Sequence, residues 1–285
     1  MGAVGKTASA AAAEEAADTT AAGEVMPPGG AKEPAPASGM SIRICHLYPD
    51  ILNLYGDRGN TITLERRCAW RGIGCEVVDV GVGHDADFSE FDLFFIGGGQ
   101  DFDQHALMDD FGIGRAGSKA SRLHAAIEDD VGVLAICGGY QLLGEYYVDA
   151  DGSRMDFLGA LPLFTEAGEG RLIGNLVFDA DALPGAPVVV GFENHAGRTR
   201  LREGAKPLGH VRAGRGNNGE DGTEGAAYRN VIATYSHGPL LPKNPAVADE
   251  LVLRALHRRY PDARLPEIDD TLEQRAHDAA IAQIL

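Results

Sequence analysis

The fold of this chain is decided by the stretch Val131-Gly132-Val133-Leu134-Ala135-Ile136-Cys137-Gly138-Gly139-Tyr140-Gln141-Leu142-Leu143-Gly144. Its continuous apolar run predicts a strand that is buried on both faces of a parallel sheet. The run ends at Cys137, and a helical pattern that includes Tyr146 and Tyr147 follows two glycines. A strand that turns directly into a helix, with a reactive side chain at the corner, is typical of a nucleophile elbow. We therefore predict that Cys137 is a nucleophile, whose thiolate the helix N-terminus would favour.

The composition excludes several classes of function. The chain has 285 residues and a formal net charge of −17, which argues against nucleic acid or an anionic membrane as the main partner. No apolar run approaches the roughly 20 residues that a membrane span needs. The other three cysteines, Cys45, Cys68 and Cys75, form no CxxC pair. We expect them to be free thiols with no catalytic role, and we expect the chain to work in a reducing cytoplasm.

The first 39 residues differ from the rest of the chain. They are rich in Ala, Gly and Pro and nearly lack large apolar side chains, so they cannot bury enough surface to offset chain entropy. We predict a disordered tail over residues 1–39 and one domain over residues 40–285. Met40 directly precedes the first predicted strand and is a second possible start of translation.

Strands and helices alternate between residues 41 and 144. The predicted strands are Ser41–Tyr48, Cys75–Val80, Asp92–Ile96 and the run before Cys137, and the predicted helices are Gly59–Gly72, with Ile62, Leu64 and Trp70 facing a core, and Ser118–Asp129. This alternation predicts an α/β fold with a doubly wound, mostly parallel sheet, whose sites lie at the carboxyl ends of the strands.

The pattern changes after about residue 150. Turn-rich loops, among them the polar loop Gly214–Gly225, join the predicted strands Leu172–Phe178, Val188–Phe192, Leu208–Val211 and Ala226–Tyr235. Helical spacing returns over Ala246–Tyr260 and again from Ile268 through Leu272, Ala276 and Ala279 to Ile284. We expect an antiparallel extension of the same domain.

A cysteine nucleophile needs a base and donors for an oxyanion. The donors could be the backbone N–H of Gly138 and one from Gly97-Gly98-Gly99, which ends the third predicted strand before Gln100-Asp101. Two histidines are candidates for the base: His237, in Tyr235-Ser236-His237-Gly238-Pro239, and His195. Sequence spacing alone favours neither of them clearly. The remaining seven histidines are expected to be solvated or structural.

The chain shows no motif for a cofactor or a metal. Gly112-Ile113-Gly114-Arg115-Ala116-Gly117 fits the dinucleotide pattern G-x-G-x-x-G, but no strand precedes it, and Ser118 separates Gly117 from Lys119, which rules out a P-loop. No His/Cys cluster has zinc spacing. We expect no cofactor, no metal and no ATP site in this chain.

Several motifs together resemble class I glutamine amidotransferases of the cobyric-acid-synthase type, which have a flavodoxin-like fold. They are Ala135-Ile136-Cys137-Gly138-Gly139-Tyr140-Gln141, the downstream Tyr-Ser-His-Gly, Gly97-Gly98-Gly99-Gln100-Asp101 and Gly191-Phe192-Glu193-Asn194-His195-Ala196-Gly197-Arg198-Thr199. The chain is more closely similar to the family of GatD glutaminase subunits through Tyr48-Pro49-Asp50, Leu54-Tyr55-Gly56-Asp57-Arg58-Gly59-Asn60 and Gly216-Asn217-Asn218-Gly219. The resemblance covers roughly residues 41–260.

The resemblance implies Cys137 as nucleophile, His237 as base and Arg171 as the residue that holds the substrate L-glutamine. Gly98, Gly99 and Gly138, as candidate oxyanion donors, complete the predicted substrate-binding residues. It also implies a heterodimer with a Mur-ligase-like, ATP-binding subunit (MurT), which receives ammonia and amidates the D-glutamate of the peptidoglycan stem peptide. There are three alternatives: a subunit for cobyrinic acid amidation, a stand-alone cysteine hydrolase resembling γ-glutamyl peptidases, and an inactive scaffold that binds a ligase.

One position departs from this resemblance. Many class I amidotransferases have a carboxylate two residues after the histidine, and here that position is Pro239. Either a carboxylate elsewhere orients His237, or the partner subunit supplies it, or the site works as a Cys–His dyad. If the partner supplies it, we expect slow glutamine hydrolysis by the isolated chain.

Overall fold

The computed structural model describes residues 34–35, 37–99 and 104–285. Within these ranges the strands are β1 (Ser41–Leu47), β2 (Gly74–Val80), β3 (Leu93–Ile96), β4 (Gly132–Ile136), β5 (Tyr146–Val148), β6 (Arg154–Asp156), β7 (Leu163–Asp179), β8 (Val188–Leu201), β9 (Gly209–Ala213), β10 (Thr223–Glu224), β11 (Ala226–Tyr228) and β12 (Val231–Thr234). The helices are α1 (Arg58–Ala69), α2 (Gln104–Phe111), α3 (Lys119–Glu128), α4 (Gly138–Leu142), α5 (Leu240–Lys243), α6 (Pro245–His257) and α7 (Thr271–Ala282). The predicted tail, residues 1–39, lies largely outside the described ranges, so the disorder of the tail stays a prediction. Gln100 and Asp101 also lie outside these ranges.

A mostly parallel sheet holds the hydrophobic core. Its strand order is β11-β12-β4-β3-β1-β2, and only β11 at one edge is antiparallel to its neighbour. Every residue of β3 and β4 is buried, as their continuous apolar runs predict. Helices α1 and α6 pack against this sheet. The predicted α/β fold with a mostly parallel sheet is confirmed.

A second sheet follows the elbow in the sequence. Its strand order is β10-β9-β7-β5-β6, and the long strand β8 pairs antiparallel with β7. The only parallel pair in this sheet, among the described residues, is β5 with β7. The predicted antiparallel extension is therefore confirmed, although β7 and β8 are much longer than the strands that we predicted there.

The predicted single strand Ala226–Tyr235 is wrong. The chain turns at Arg229, which has a left-handed backbone (φ 49°), so that β11 and β12 form a hairpin. Strand β12 then lies parallel to β4, with Thr234 beside Ile136. This register brings the residues after Thr234 to the same sheet edge as Cys137, because the carboxyl ends of parallel strands meet at one edge.

The helix after Cys137 is shorter than its sequence pattern indicates. Helix α4 ends at Leu142, and the two tyrosines that we assigned to it, Tyr146 and Tyr147, lie in β5. After Leu142 the backbone hydrogen bonds span three residues instead of four: the N–H of Leu143 donates to the carbonyl of Tyr140 at 3.3 Å, and that of Gly144 to the carbonyl of Gln141 at 2.9 Å. The chain turns there and enters the second sheet.

The predicted apolar face of α1 is only partly correct, and α7 buries a residue that its apolar spacing does not indicate. Ile62 on α1 is 49% exposed, whereas Leu64 on the same helix is fully buried. On α7 the buried residue is His277, which contacts the carbonyl of Lys243 through Nδ1, and Leu272 is exposed. Helix α7 is thus held in part by a polar contact, which an apolar periodicity does not reveal.

The polar segment Gly214–Gly225 is ordered around buried side chains. Asn217 accepts a hydrogen bond from the hydroxyl of Tyr140 (3.0 Å) and donates one to the carbonyl of Gly225 (2.9 Å). Glu224 is fully buried, and one of its oxygens accepts from Oγ1 of Thr234 (2.6 Å) and from the N–H of Tyr235 (2.8 Å). This segment therefore fastens the end of β12 to the rest of the fold.

The environment of Glu224 makes stability depend on pH. Burial raises the pKa of Glu224 to about 7, so the folded chain keeps a proton that the unfolded chain releases at lower pH. Stability should fall as pH rises from about 4.5 to 7, by about 3 kcal/mol, at 1.36 kcal/mol per pKa unit. In Glu224→Gln this contribution should disappear, because the amide oxygen can still accept both hydrogen bonds. Urea unfolding at pH 5 and pH 8 measures the difference, and an unchanged pH dependence would contradict the assignment.

Candidate active site

Cys137 lies at the corner between β4 and α4. Its backbone is left-handed (φ 46°, ψ −102°), a conformation that is strained for a residue with a side chain. Its N–H donates to the carbonyl of Thr234 at 2.8 Å, which fixes the corner to β12. The side chain is 7% exposed. The predicted strand, turn and helix are present, although a helix of five residues contributes little dipole.

Glycines surround Cys137 because backbone segments approach each other closely there. A Cβ at Gly98 would lie 2.6 Å from Cε1 of His237 and 3.4 Å from Cβ of Cys137, and a Cβ at Gly138 would lie 3.0 Å from the nitrogen of Gly99. No larger residue fits at either position without displacement. The three glycines that we singled out therefore lie together beside the thiol.

His237 reaches the thiol because its backbone is held on both sides. It directly follows the segment after β12, and it exchanges two backbone hydrogen bonds with Phe192 of β8, at 2.8 and 3.3 Å. The imidazole is fully buried and interacts with Cys137 and Asp57. The structure thus brings His237, rather than His195, to the cysteine.

His195 has a different environment. Its ring stacks on that of Tyr235 at 3.6 Å between centroids, and Nδ1 contacts the carbonyl of Gly197 at 2.8 Å. Burial lowers the pKa of His195 below its ordinary value. This is the environment of a neutral core histidine, and it agrees with His237 as the histidine that the resemblance implies.

Asp57, which sequence reasoning missed, faces the other side of His237. Its Oδ2 lies 3.5 Å from Nδ1 of His237, and neither side chain is exposed to solvent. The same oxygen accepts the N–H of Gly98 at 2.7 Å, so this N–H is not available to an oxyanion. Asp57 directly precedes α1 and is 180 residues away from His237 in the sequence, so no local spacing connects them.

Pro239 packs against α1 instead of carrying a carboxylate. A Cβ at Gly59 would lie 2.5 Å from Cγ of Pro239, and Oδ1 of Asn60 accepts the N–H of Leu241 at 2.9 Å. The first turn of α1 therefore holds both the segment after His237 and Asp57. Of the three alternatives left by the sequence, a carboxylate from elsewhere in the chain agrees with this geometry.

The charge on His237 is set by its two neighbours. Burial disfavours the imidazolium, but the negative charge of the Cys137 thiolate and the interaction with Asp57 outweigh it and raise the pKa of His237 to about 10. A protonated His237 between a thiolate and a carboxylate can act as a general acid. The arrangement therefore suits a covalent reaction in which a leaving group must be protonated.

Arg171 lies near the site but does not contact Cys137 directly. It is exposed on β7, and its Nε and Nη2 donate to Oδ1 (2.7 Å) and to the carbonyl (2.9 Å) of Asn194 on β8. Nδ2 of Asn194 donates in turn to the hydroxyl of Tyr55. The ring of Tyr55 packs edge-on against that of His237, with 5.0 Å between centroids.

Two further motifs of the sequence can be compared with the structure. No group of three or more His, Cys, Asp or Glu side chains there could hold a metal ion. The loop Gly112–Gly117 lies in turns between α2 and α3, without the strand that a dinucleotide fingerprint requires.

Comparison with known families gives this geometry a context. A family model described as a CobB/CobQ-like glutamine amidotransferase domain matches residues 43–245, which include Cys137, His237, Asp57 and Arg171. The chain belongs to this family. It is therefore a glutamine amidotransferase subunit, as the sequence motifs imply.

Curated relatives of this amidotransferase include GatD subunits and cobyric acid synthases. The GatD subunit of the glutamine-hydrolyzing lipid II isoglutaminyl synthase of Staphylococcus aureus is 42% identical over 241 residues, 84% of this chain and 95% of that protein. The corresponding subunit of Streptococcus pneumoniae is 40% identical and covers 82% of this chain and 88% of that protein. The cobyric acid synthase of Listeria monocytogenes is 29% identical over 164 residues, but this match spans only 30% of that protein. The amidotransferase thus matches the GatD subunits over nearly their whole length.

The origin of the raised His237 pKa can be tested in this amidotransferase. In Cys137→Ser the thiolate charge is lost, while burial remains, so the imidazole should titrate at a lower pH than in the native chain. NMR titration of the His237 ring measures the midpoint. Cys75→Ser, which removes a half-buried thiol, serves as the matched control and should leave that midpoint unchanged. A midpoint that does not move in Cys137→Ser would contradict the thiolate–imidazolium pair.

Proposed function

We propose that this chain is the glutaminase subunit of a lipid II isoglutaminyl synthase. It hydrolyses L-glutamine and passes ammonia to an ATP-dependent, Mur-ligase-like subunit that amidates the D-glutamate of the peptidoglycan stem peptide. The observation that carries the proposal is the buried set of Cys137, His237 and Asp57 at the carboxyl edge of the parallel sheet. It occurs in a chain that matches GatD subunits over nearly their whole length.

The first half of the proposed reaction forms a thioester. The thiolate of Cys137 attacks the carboxamide carbon of glutamine, and the C–N bond breaks as the tetrahedral intermediate collapses. The imidazolium of His237 gives its proton to the departing nitrogen, so that ammonia leaves. Asp57 holds Nδ1 of His237 and keeps Nε2 directed to the reaction.

Backbone N–H groups stabilise the negative oxygen of the intermediate in this proposal. The donors in this proposal are the N–H groups of Gly99 and of Gly138, the first residue of α4. The N–H of Gly98 is not one of them, because it already donates to Asp57. Gly98 contributes instead by leaving room for the imidazole. Preorganised donors of this kind supply a large share of the rate enhancement in acyl transfer.

The second half releases glutamate. Neutral His237 takes a proton from water, the hydroxide attacks the thioester, and the C–S bond breaks to restore the Cys137 thiolate. The imidazolium is then present again for the next cycle. Arg171 would hold the α-carboxylate of the substrate, since a guanidinium can pair with a carboxylate through two charge-assisted hydrogen bonds.

The partner of this subunit follows from the relatives rather than from its own surface. Two of them are named as subunits of a glutamine-hydrolyzing synthase, and we propose that a MurT-type ligase subunit forms a heterodimer with this chain. The described residues contain no helix that is long and apolar enough to span a membrane. We propose that the complex works in the cytoplasm.

Nitrogen transfer from glutamine tests this function. The native chain should release ammonia from L-glutamine, and together with its ligase subunit, ATP and lipid II it should form the amidated product. In Cys137→Ala both glutamine-dependent rates should fall by about 10³-fold or more, because the nucleophile is missing. Amidation driven by added ammonium should persist in that complex.

The matched control and the rival function belong to the same assay. Cys75→Ala should keep both glutamine-dependent rates. If the native chain hydrolyses γ-glutamyl peptides as well as glutamine and transfers no nitrogen to the ligase product, the stand-alone hydrolase replaces our proposal.

A further inference from the structure

Two side chains connect the exposed Arg171 with the buried His237. Asn194 contacts the guanidinium of Arg171 through both its side chain and its carbonyl, and the hydroxyl of Tyr55 accepts from the amide of Asn194. The ring of Tyr55 then contacts the imidazole of His237 edge-on. Neither Tyr55 nor Asn194 has a role in the reaction as described so far.

Asn194 occupies only one edge of the guanidinium. Of the five N–H donors of an arginine, it uses the one on Nε and one of the two on Nη2. Both donors on Nη1 and the second on Nη2 have no acceptor among the described residues, and they form an edge suited to a carboxylate. Asn194 therefore fixes the direction of the fork without blocking it.

Tyr55 is held in an unfavourable backbone conformation. Its φ of 55° and ψ of 24° are left-handed, a conformation that is strained in a residue with a side chain. The conformation persists because contacts surround it: Leu54 donates to the carbonyl of Gly98 at 3.0 Å, and the ring lies 6.1 Å from that of Phe192. In this backbone conformation the ring of Tyr55 contacts His237 and its hydroxyl contacts Asn194.

These contacts are not needed by the hydrophobic core. The side chain of Tyr55 is 45% exposed, and Asn194 is half-buried on β8. Small substitutions at such positions usually change stability little. The hydrophobic core therefore does not explain why Tyr55 keeps its strained backbone.

We propose that Tyr55 and Asn194 are positioning residues that hold the carboxylate-binding edge of Arg171 at a fixed distance from Cys137. This fixed distance selects an L-amino acid whose side-chain carboxamide lies one methylene further from the α-carboxylate than in asparagine. The inference rests on the proposed function of Cys137 and Arg171 and adds the specificity of the site. It concerns substrate binding, and the chemical step should be largely independent of it.

Inactivation by a diazoketone analogue of L-glutamine tests the proposal with the full-length chain. Saturation kinetics separate the binding constant KI from the rate constant kinact of Cys137 alkylation. Tyr55→Phe loses one neutral hydrogen bond and should raise KI about 3-fold. Asn194→Ala loses the side-chain contacts to both Arg171 and Tyr55, while its carbonyl still accepts from Nη2 of Arg171, and it should raise KI about 10-fold. In both variants kinact should stay within about 2-fold, because the reacting groups are unchanged.

Double variants distinguish positioning from a general structural effect. In the Arg171→Ala background neither substitution should raise KI further, because both act through the guanidinium. The preference for the glutamine analogue over the diazoketone analogue of L-asparagine should narrow in Tyr55→Phe and Asn194→Ala. Tyr146→Phe is the matched control. It also removes a tyrosine hydroxyl that accepts an exposed hydrogen bond, from Arg202 at 2.8 Å, and it should change neither KI nor kinact.

The outcomes separate this inference from the function on which it rests. If the native chain is labelled at Cys137 but KI stays unchanged in Tyr55→Phe and Asn194→Ala, the positioning role is wrong and the glutaminase assignment stands. An additive increase of KI in the Arg171→Ala background also contradicts the positioning role. If the native chain is not labelled at all, the proposed function is wrong and the inference with it.

Discussion

The structure depends on the interaction of a buried imidazole with a thiolate on one side and a carboxylate on the other. His237 has no solvent to stabilise its charge, so Cys137 and Asp57 must do so, and their effect exceeds that of burial. Each of the three side chains belongs to a different part of the sequence. The fold is therefore constrained to hold three remote segments around one buried imidazole.

The second sheet and the first turn of α1 satisfy this constraint together. Strand β8 pairs with His237 through Phe192, and buried Glu224 fastens the end of β12 that leads to it. From the other direction, Asp57 and Asn60 at the start of α1 bind Gly98 and the segment after His237. The second sheet, which departs from the alternating βα pattern, thus serves mainly to place the histidine and to carry Arg171.

Sequence reasoning finds what is local and misses what is remote. The run before Cys137 predicts β4 and the corner, because continuous burial and a glycine pair are local signals. The carboxylate beside His237 could not be found in this way. Asp57 is close to the histidine only after folding, and Pro239 occupies the position two residues after it where a carboxylate is expected. The left-handed backbone at Tyr55 is equally invisible, because nothing in its neighbours requires it. The prediction of a longer α4 failed for a third reason: the chain leaves the helix after Leu142 to enter the second sheet, and helical periodicity does not reveal this turn.

The central claim is that this chain carries its own orienting carboxylate. Steady-state hydrolysis of L-glutamine by Asp57→Asn tests it, since the amide oxygen can still accept the N–H of Gly98 while the charge facing His237 is lost. We predict that kcat falls by about 10²- to 10⁴-fold with KM little changed, as expected when a general acid–base group is misoriented. Asp50→Asn, an exposed aspartate close in sequence, should retain native kcat. A kcat within 2-fold of native in Asp57→Asn would contradict the account and leave a Cys–His dyad or a carboxylate of the partner.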